Sequence, residues 1–173
     1  MSITSLIAKS AESIKLIELF QRRNFTIKDS KLTYRALNHY KKTKIIDENK
    51  LKQESWRKFS GIELIWIDII IQLRELGISL EKILLIKKHL FIDGYLGSID
   101  RAQFISNSFE HEIALAVLNK YDLYLLIFSD FSCAFRDSQS IKQGDIKYRD
   151  VPYINIPMSR IIKETLLKVG KPN

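Results

Sequence analysis

Leu32-Thr33-Tyr34-Arg35-Ala36-Leu37-Asn38-His39-Tyr40-Lys41-Lys42 is the stretch from which the rest of the chain can be read. Its apolar positions, Leu32, Ala36 or Leu37, and Tyr40, recur at the spacing of one narrow helical stripe. Tyr34, Arg35, Asn38, His39, Lys41 and Lys42 cover the remaining surface. A helix so dressed is built to touch something polar. Asp29 and Ser30, just upstream, are good residues to cap its start. Just downstream, Ile45-Ile46 forms a small apolar plug, followed by a polar loop from Asp47 to Gln53 with Lys50 and Lys52. In Trp56-Arg57-Lys58-Phe59 two aromatics flank two cations. An extended hairpin would put Trp56 and Lys58 on one face, and Arg57 and Phe59 on the other.

Upstream of this stretch, Ile3 to Arg22 reads as a helix, and Asn24 to Lys28 as a short polar link around Phe25 and Ile27. Downstream, Ser60 caps a strongly apolar helix from Gly61 to Leu76, with Glu63 completing a capping box. Gly77 stops that helix, and Ser79 starts another that runs to about Leu90 or Phe91. Trp66, Leu73, Leu76 and Leu80 are expected in the core. Helix, turn, helix, basic aromatic hairpin and two helices is the order of a winged helix-turn-helix. In that layout the second helix enters a major groove ~12 Å wide and the wing reaches over the adjacent backbone. Asn38 has the chemistry to pair bidentately with adenine, and Arg35 or Lys41 with guanine or phosphate. Tyr40 and Trp56 can offer a polar tip to phosphate while their rings pack.

Charge points to the same part of the chain. The net charge is +8, from 28 Lys+Arg against 20 Asp+Glu. Residues 1–60 hold 14 of the cations and 6 of the acids, so the whole excess lies there. A localised basic excess is the footprint of a nucleic-acid module, because each cation on a phosphate releases condensed counterions. It is equally the footprint of a solvated basic face, and charge alone does not choose between them.

The second half reads differently. Ser98 to Tyr121 is one long or broken helix, Asp122 to Phe128 a strand, Ser129-Asp130 a turn, and Phe131 to Phe135 a second strand. Arg136 to Asp150 reads as a loop and Val151 to Ile156 as a third strand. Pro157 then opens a closing helix, Ser159 to Val169. The fold class expected is α+β, in two parts. Residues 1–91 form the winged domain. Residues 92–173 form a small module of helix, three-stranded sheet and helix, for dimerisation or for binding a partner or ligand. The boundary is placed near Ile92-Asp93-Gly94.

Three segments, in order over about residues 25–91, resemble the MerR family of transcription regulators. The stretch from Leu32 to Lys42 is similar to that family's recognition helix, which usually reads small apolar-Ser-x-Arg-x-Leu-Arg-Tyr-Tyr-Glu. Lys44-Ile45-Ile46 looks like its Gly-Leu-Leu exit, with Lys44 in place of the glycine. Trp56-Arg57-Lys58-Phe59-Ser60 is close to its aromatic-Arg-x-aromatic-Ser/Asp wing. Leu73-Arg74-Glu75-Leu76-Gly77-Ile78-Ser79-Leu80-Glu81-Lys82-Ile83 nearly repeats its Leu-Arg-x-Leu-Gly-Phe-Ser-Leu-x-x-Ile string. The resemblance implies double-stranded DNA binding and transcriptional regulation by a symmetric homodimer on an inverted repeat. With the reading above, it gives Thr33, Tyr34, Arg35, Asn38, His39, Tyr40, Lys41, Lys42, Lys52, Trp56, Arg57 and Lys58 as the DNA-contact set. A DNA-bending, excisionase-like factor of a mobile element is the alternative.

The departures also carry information. Phe25-Thr26-Ile27 lies too close to Leu37 for the family's full first helix. Either that helix is cut short or Ser13 to Arg22 replaces it, and replacement is favoured because Ile14, Ile17 and Phe20 need a core. The family's Arg-Tyr-Tyr stands here as Asn38-His39-Tyr40. Its cysteine metal ligands are absent, so no metal or other cofactor is expected. Cys133 is the single cysteine, which excludes an internal disulfide, and its apolar strand makes it an inert core thiol. His39, His89 and His111 are scattered; His111 sits between Glu110 and Glu112 without a metal-ligating partner. No nucleophile elbow, phosphate-cradling glycine loop or zinc-spaced histidine pair appears, so no enzyme activity is expected. The apolar run from Ile62 to Ile71 is broken by Glu63 and Asp68, and Lys9 and Glu12 interrupt any leader-like start. A soluble, cytoplasmic chain without membrane partners is therefore expected.

Overall fold

A computed structural model describes residues 3–46, 58–91, 108–143 and 151–169. Over these residues the fold is α+β, with seven α-helices and two small antiparallel sheets. The helices are α1 (Ile3–Gln21), α2 (Tyr34–Lys42), α3 (Gly61–Glu75), α4 (Leu80–Phe91), α5 (Ser108–Asn119), α6 (Ser138–Gln143) and α7 (Met158–Val169). The strands are β1 (Arg23–Phe25), β2 (Phe59–Ser60), β3 (Leu123–Phe128), β4 (Cys133–Asp137) and β5 (Tyr153–Pro157). Among the described residues no helix is long and apolar enough to cross a membrane. The chain divides into two compact units, Glu18–Leu84 with Ile161–Asn173, and Met1–Ile17 with Leu85–Arg160. Compared with a partition into 1–91 and 92–173, the first unit takes in most of α7, while Met1–Ile17 and the end of α4 from Leu85 fall to the second. The boundary expected at Ile92-Asp93-Gly94 lies outside the described residues.

The first unit is built on α3. Ser60 sits extended at its N-cap and accepts from the Glu63 amide at 3.1 Å, while the Glu63 carboxylate accepts from the Ser60 amide at 2.8 Å. These bonds satisfy two of the amides that every helix start leaves open. Glu63 also holds the Arg23 guanidinium in a two-pronged contact at 3.1 and 3.2 Å, which ties β1 to the start of α3. From Gly61 to Ile70 every α3 residue except Glu63 is buried, as expected of a helix apolar all round. The single acid in that run beyond Glu63, Asp68, stands 3.9 Å from the Lys31 ammonium.

Several expectations for this unit are corrected. The link around Phe25 is strand β1, paired antiparallel to β2 through Arg23↔Ser60 and Phe25↔Phe59, followed by a 3-10 turn at Ile27–Asp29. Asp29 belongs to that turn, where its carboxylate accepts from the Thr26 amide at 2.7 Å. Asp29 therefore does not cap α2. Phe20 is 1% exposed, so the end of α1 does pack in this core, but Ile14 is 55% exposed and does not need one. Leu76 is 59% exposed rather than buried, because it is the C-cap residue where the chain leaves α3.

In the second unit, β3 is the middle strand of β4-β3-β5, antiparallel on both sides. The registers run from Leu123↔Asp137 to Ile127↔Cys133, and from Tyr124↔Pro157 to Phe128↔Tyr153. On one face Leu126 and Phe128 cluster with Ala134, and Tyr124 and Ile141 pack against them. Phe109 of α5 lies 4.7 Å from the Phe91 ring and 6.0 Å from the Phe135 ring, centroid to centroid. Leu123 donates its amide to Ser159 Oγ at 2.8 Å, joining β3 to the start of α7.

Here too the boundaries shift. Phe131 does not begin the second strand. It takes φ +64° in the hairpin loop, where Asp130 accepts from the Ser132 amide and hydroxyl at 3.0 and 2.7 Å. These bonds hold the Asp130 carboxyl below its ordinary range. The segment after Arg136 is not all loop, since α6 follows β4 directly. Its start is held by Asp137, which accepts from the Ser140 amide at 2.7 Å, and Ile141 gives it a reason to pack. Pro157 is the last residue of edge strand β5, where its missing amide costs no ladder bond, and the helix begins at Met158. The expected helix from Ser98 is described only as α5; residues 98–107 lie outside the described part. Cys133 is buried, and burial pushes its thiol up to about 12, so it stays protonated.

Candidate nucleic-acid interface

The candidate site is α2 and the segments that hold it. Thr33, not Asp29 or Ser30, caps the helix: it is extended, and its hydroxyl accepts from the Ala36 amide at 3.2 Å. Ser30 instead turns the approach, donating to the Ile27 carbonyl at 2.8 Å and accepting from the Leu32 amide at 3.3 Å. Leu37 is 3% exposed and anchors the inner face. At 100° per residue, Arg35, Asn38, His39 and Lys42 fall on the arc opposite Leu37, and all four are exposed. Tyr34 is 61% exposed beside them. Tyr40 and Lys41 are half-buried, and Thr33 is exposed. Between Ser30 and Ile46 there are five cations and no carboxylate.

The exit from α2 is as closely defined as its entry. The Ile45 amide donates to the Tyr40 carbonyl at 3.0 Å and the Lys44 amide to the Lys41 carbonyl at 2.9 Å, the paired bonds of a Schellman motif. That motif needs a left-handed residue, and Lys44 fills it at φ +59°. The end of α3 repeats the motif with Gly77 at φ +79°, through bonds from Ile78 to Leu73 and from Gly77 to Arg74. A side chain in the left-handed region costs roughly 1–2 kcal/mol. Lys44→Gly should therefore raise stability by about 0.5–1 kcal/mol, read as a higher denaturant midpoint, after the extra freedom of glycine in the unfolded chain is offset. After Lys44, Ile45 and Ile46 are 0% and 3% exposed, and the Ile45 carbonyl accepts from the Trp66 indole at 2.9 Å. The helix is thus bolted to α3 at its far end.

Of the remaining expected residues, Lys58 is exposed just before β2, and its carbonyl accepts from Arg23 at 3.1 Å. Lys52, Trp56 and Arg57 lie outside the described residues. Three exposed cations outside the expected contact set flank α2: Lys28 in the 3-10 turn, Lys31 before the helix and Lys44 after it. The +8 localisation was their signal. No sequence pattern marks the return of α7 to this unit, where Lys168 donates to the Asp29 carbonyl at 2.8 Å and holds the turn that precedes α2.

Comparison with known proteins gives no match to a family model, to a curated protein or to a solved structure.

Proposed function

We propose that the first unit is a winged helix-turn-helix of MerR-like type that binds double-stranded DNA and regulates transcription as a homodimer. The observation that carries the reading is the face of α2 opposite Leu37. It offers Arg35, Asn38, His39 and Lys42 to solvent in a stretch with no acid. A helix of ~10–12 Å diameter matches the width of a major groove. On such a helix, Arg35 and Lys42 are placed to neutralise phosphates or read guanine, and Asn38 to read adenine. The 3-10 turn at Ile27–Asp29 stands where the MerR-like pattern has a longer first helix. On this reading the first helix is cut short to that turn, rather than replaced by Ser13 to Arg22, with Ser30 and Lys168 bonded to its carbonyls.

Selection from a random duplex pool tests this reading. The expected result is enrichment of one motif in two inverted half-sites about one helical turn apart, as a two-fold dimer requires. Recovery of no preferred sequence, with a marked bend in the bound duplex, would replace regulation by an architectural role.

A further inference from the structure

The second unit contains a polar cavity of about 230 Å³ that the DNA-binding reading does not use. Glu112 of α5, Tyr121, Arg136 and Asp137 of β4, and Ser140 of α6 line it, with Leu123 and Phe135 as its apolar part. Two carboxylates face it against one guanidinium. Arg136 gives Nη1 to the Phe135 carbonyl at 2.7 Å, and Asp137 is engaged by the Ser140 amide. Among the described residues, the buried Nε of Arg136 meets no acceptor, and Glu112 accepts no hydrogen bond and stands in no ion pair within 4 Å. A half-buried carboxylate with no donor among the described residues is open to one from a ligand. Burial accordingly raises the Glu112 carboxyl above its ordinary range, and the Arg136 charge offsets this only in part. Burial, then the charges of Glu112 and Asp137, push the Tyr121 phenol up to about 12, so it stays a proton donor.

We propose that this cavity binds a small organic amine, its ammonium held by Glu112 and a neighbouring oxygen of the same ligand accepting from Tyr121. An ammonium brings donors that no described residue gives Glu112. An anion would meet two carboxylates for each guanidinium. The volume is below the range of drug-sized sites, which limits the ligand to a few carbons along Leu123 and Phe135. This inference stands apart from the DNA-binding reading.

Calorimetric titration of the full chain with ethanolamine and 3-amino-1-propanol tests it, with glycolate as the anionic control. Both amino alcohols should bind saturably and glycolate should not. Glu112→Gln should weaken amine binding about tenfold or more, the worth of a charge-assisted hydrogen bond. Tyr121→Phe should weaken it severalfold. Folding of the glutamine variant is checked by its own signature. A carboxyl raised by folding stabilises below its unfolded value near 4.3, and that contribution is lost as pH rises through the folded value. Glu112→Gln should therefore melt higher than wild type at pH 7, while binding amine worse. Absence of saturable amine binding to wild type, equal binding by Glu112→Gln, or equal binding of glycolate would overturn the proposal.

Discussion

Phe20→Ala is expected to remove about 3–5 kcal/mol from the stability of the first unit, the usual cost of emptying a buried aromatic site. Phe20 closes α1 with 1% of its surface exposed. It lies against Gly61, the first residue of α3. A Cβ built at Gly61 would stand 2.8 Å from Phe20 Cδ1, 3.2 Å from the Phe20 carbonyl and 3.5 Å from Thr165 Cγ2 of α7. Three helices therefore meet where only a hydrogen fits. Gly61→Ala should cost about 1–3 kcal/mol by overpacking. The two sites touch, so their effects should not add: with the Phe20 ring gone the 2.8 Å contact is relieved and only the approach to the Phe20 carbonyl stays tight, so the cost of a methyl at Gly61 should fall. Denaturant titration of the four combinations measures this. Strict additivity would mean that the ring and the glycine do not pack as described.

Arg35→Ala is expected to lower duplex affinity by about 1–3 kcal/mol, roughly 5- to 150-fold, and to flatten the salt slope by about one. Arg35 is exposed, and Leu37 rather than Arg35 holds α2 to its core. Its removal should leave the melting curve within about 0.5 kcal/mol of wild type. Binding and folding thus separate cleanly at this residue. Parallel salt titrations of wild type and variant that overlay would take Arg35 out of the interface.

Features with a local cause were readable in the sequence. Ser60 and Glu63 form their capping box because the spacing alone decides it, and Gly77 ends α3 because glycine enters the left-handed region without strain. The strand-turn-strand from Leu123 to Phe135 and the buried Ile run of α3 follow from composition and period. Where several residues competed for one task, the sequence left the choice open. Thr26, Asp29, Ser30 and Thr33 all have capping chemistry; Asp29 goes to the 3-10 turn and Thr33 to α2. α6 is short and polar, so only its contact through Ile141 marks it. Contacts distant in sequence were not readable at all. Lys168 and Asp29 are 139 residues apart. The cavity around Glu112 is likewise assembled from α5, β4 and α6 and has no local pattern. The cationic face of α2 was visible because one helix carries it.

Duplex DNA binding by the first unit is tested most directly by the affinity of the wild-type chain for duplex DNA between about 50 and 200 mM salt. The logarithm of affinity should fall linearly with the logarithm of salt concentration, with a slope set by the phosphates that Arg35, Lys42 and their neighbours neutralise. Failure to bind duplex at the lowest salt, or binding that does not change with salt, would contradict it.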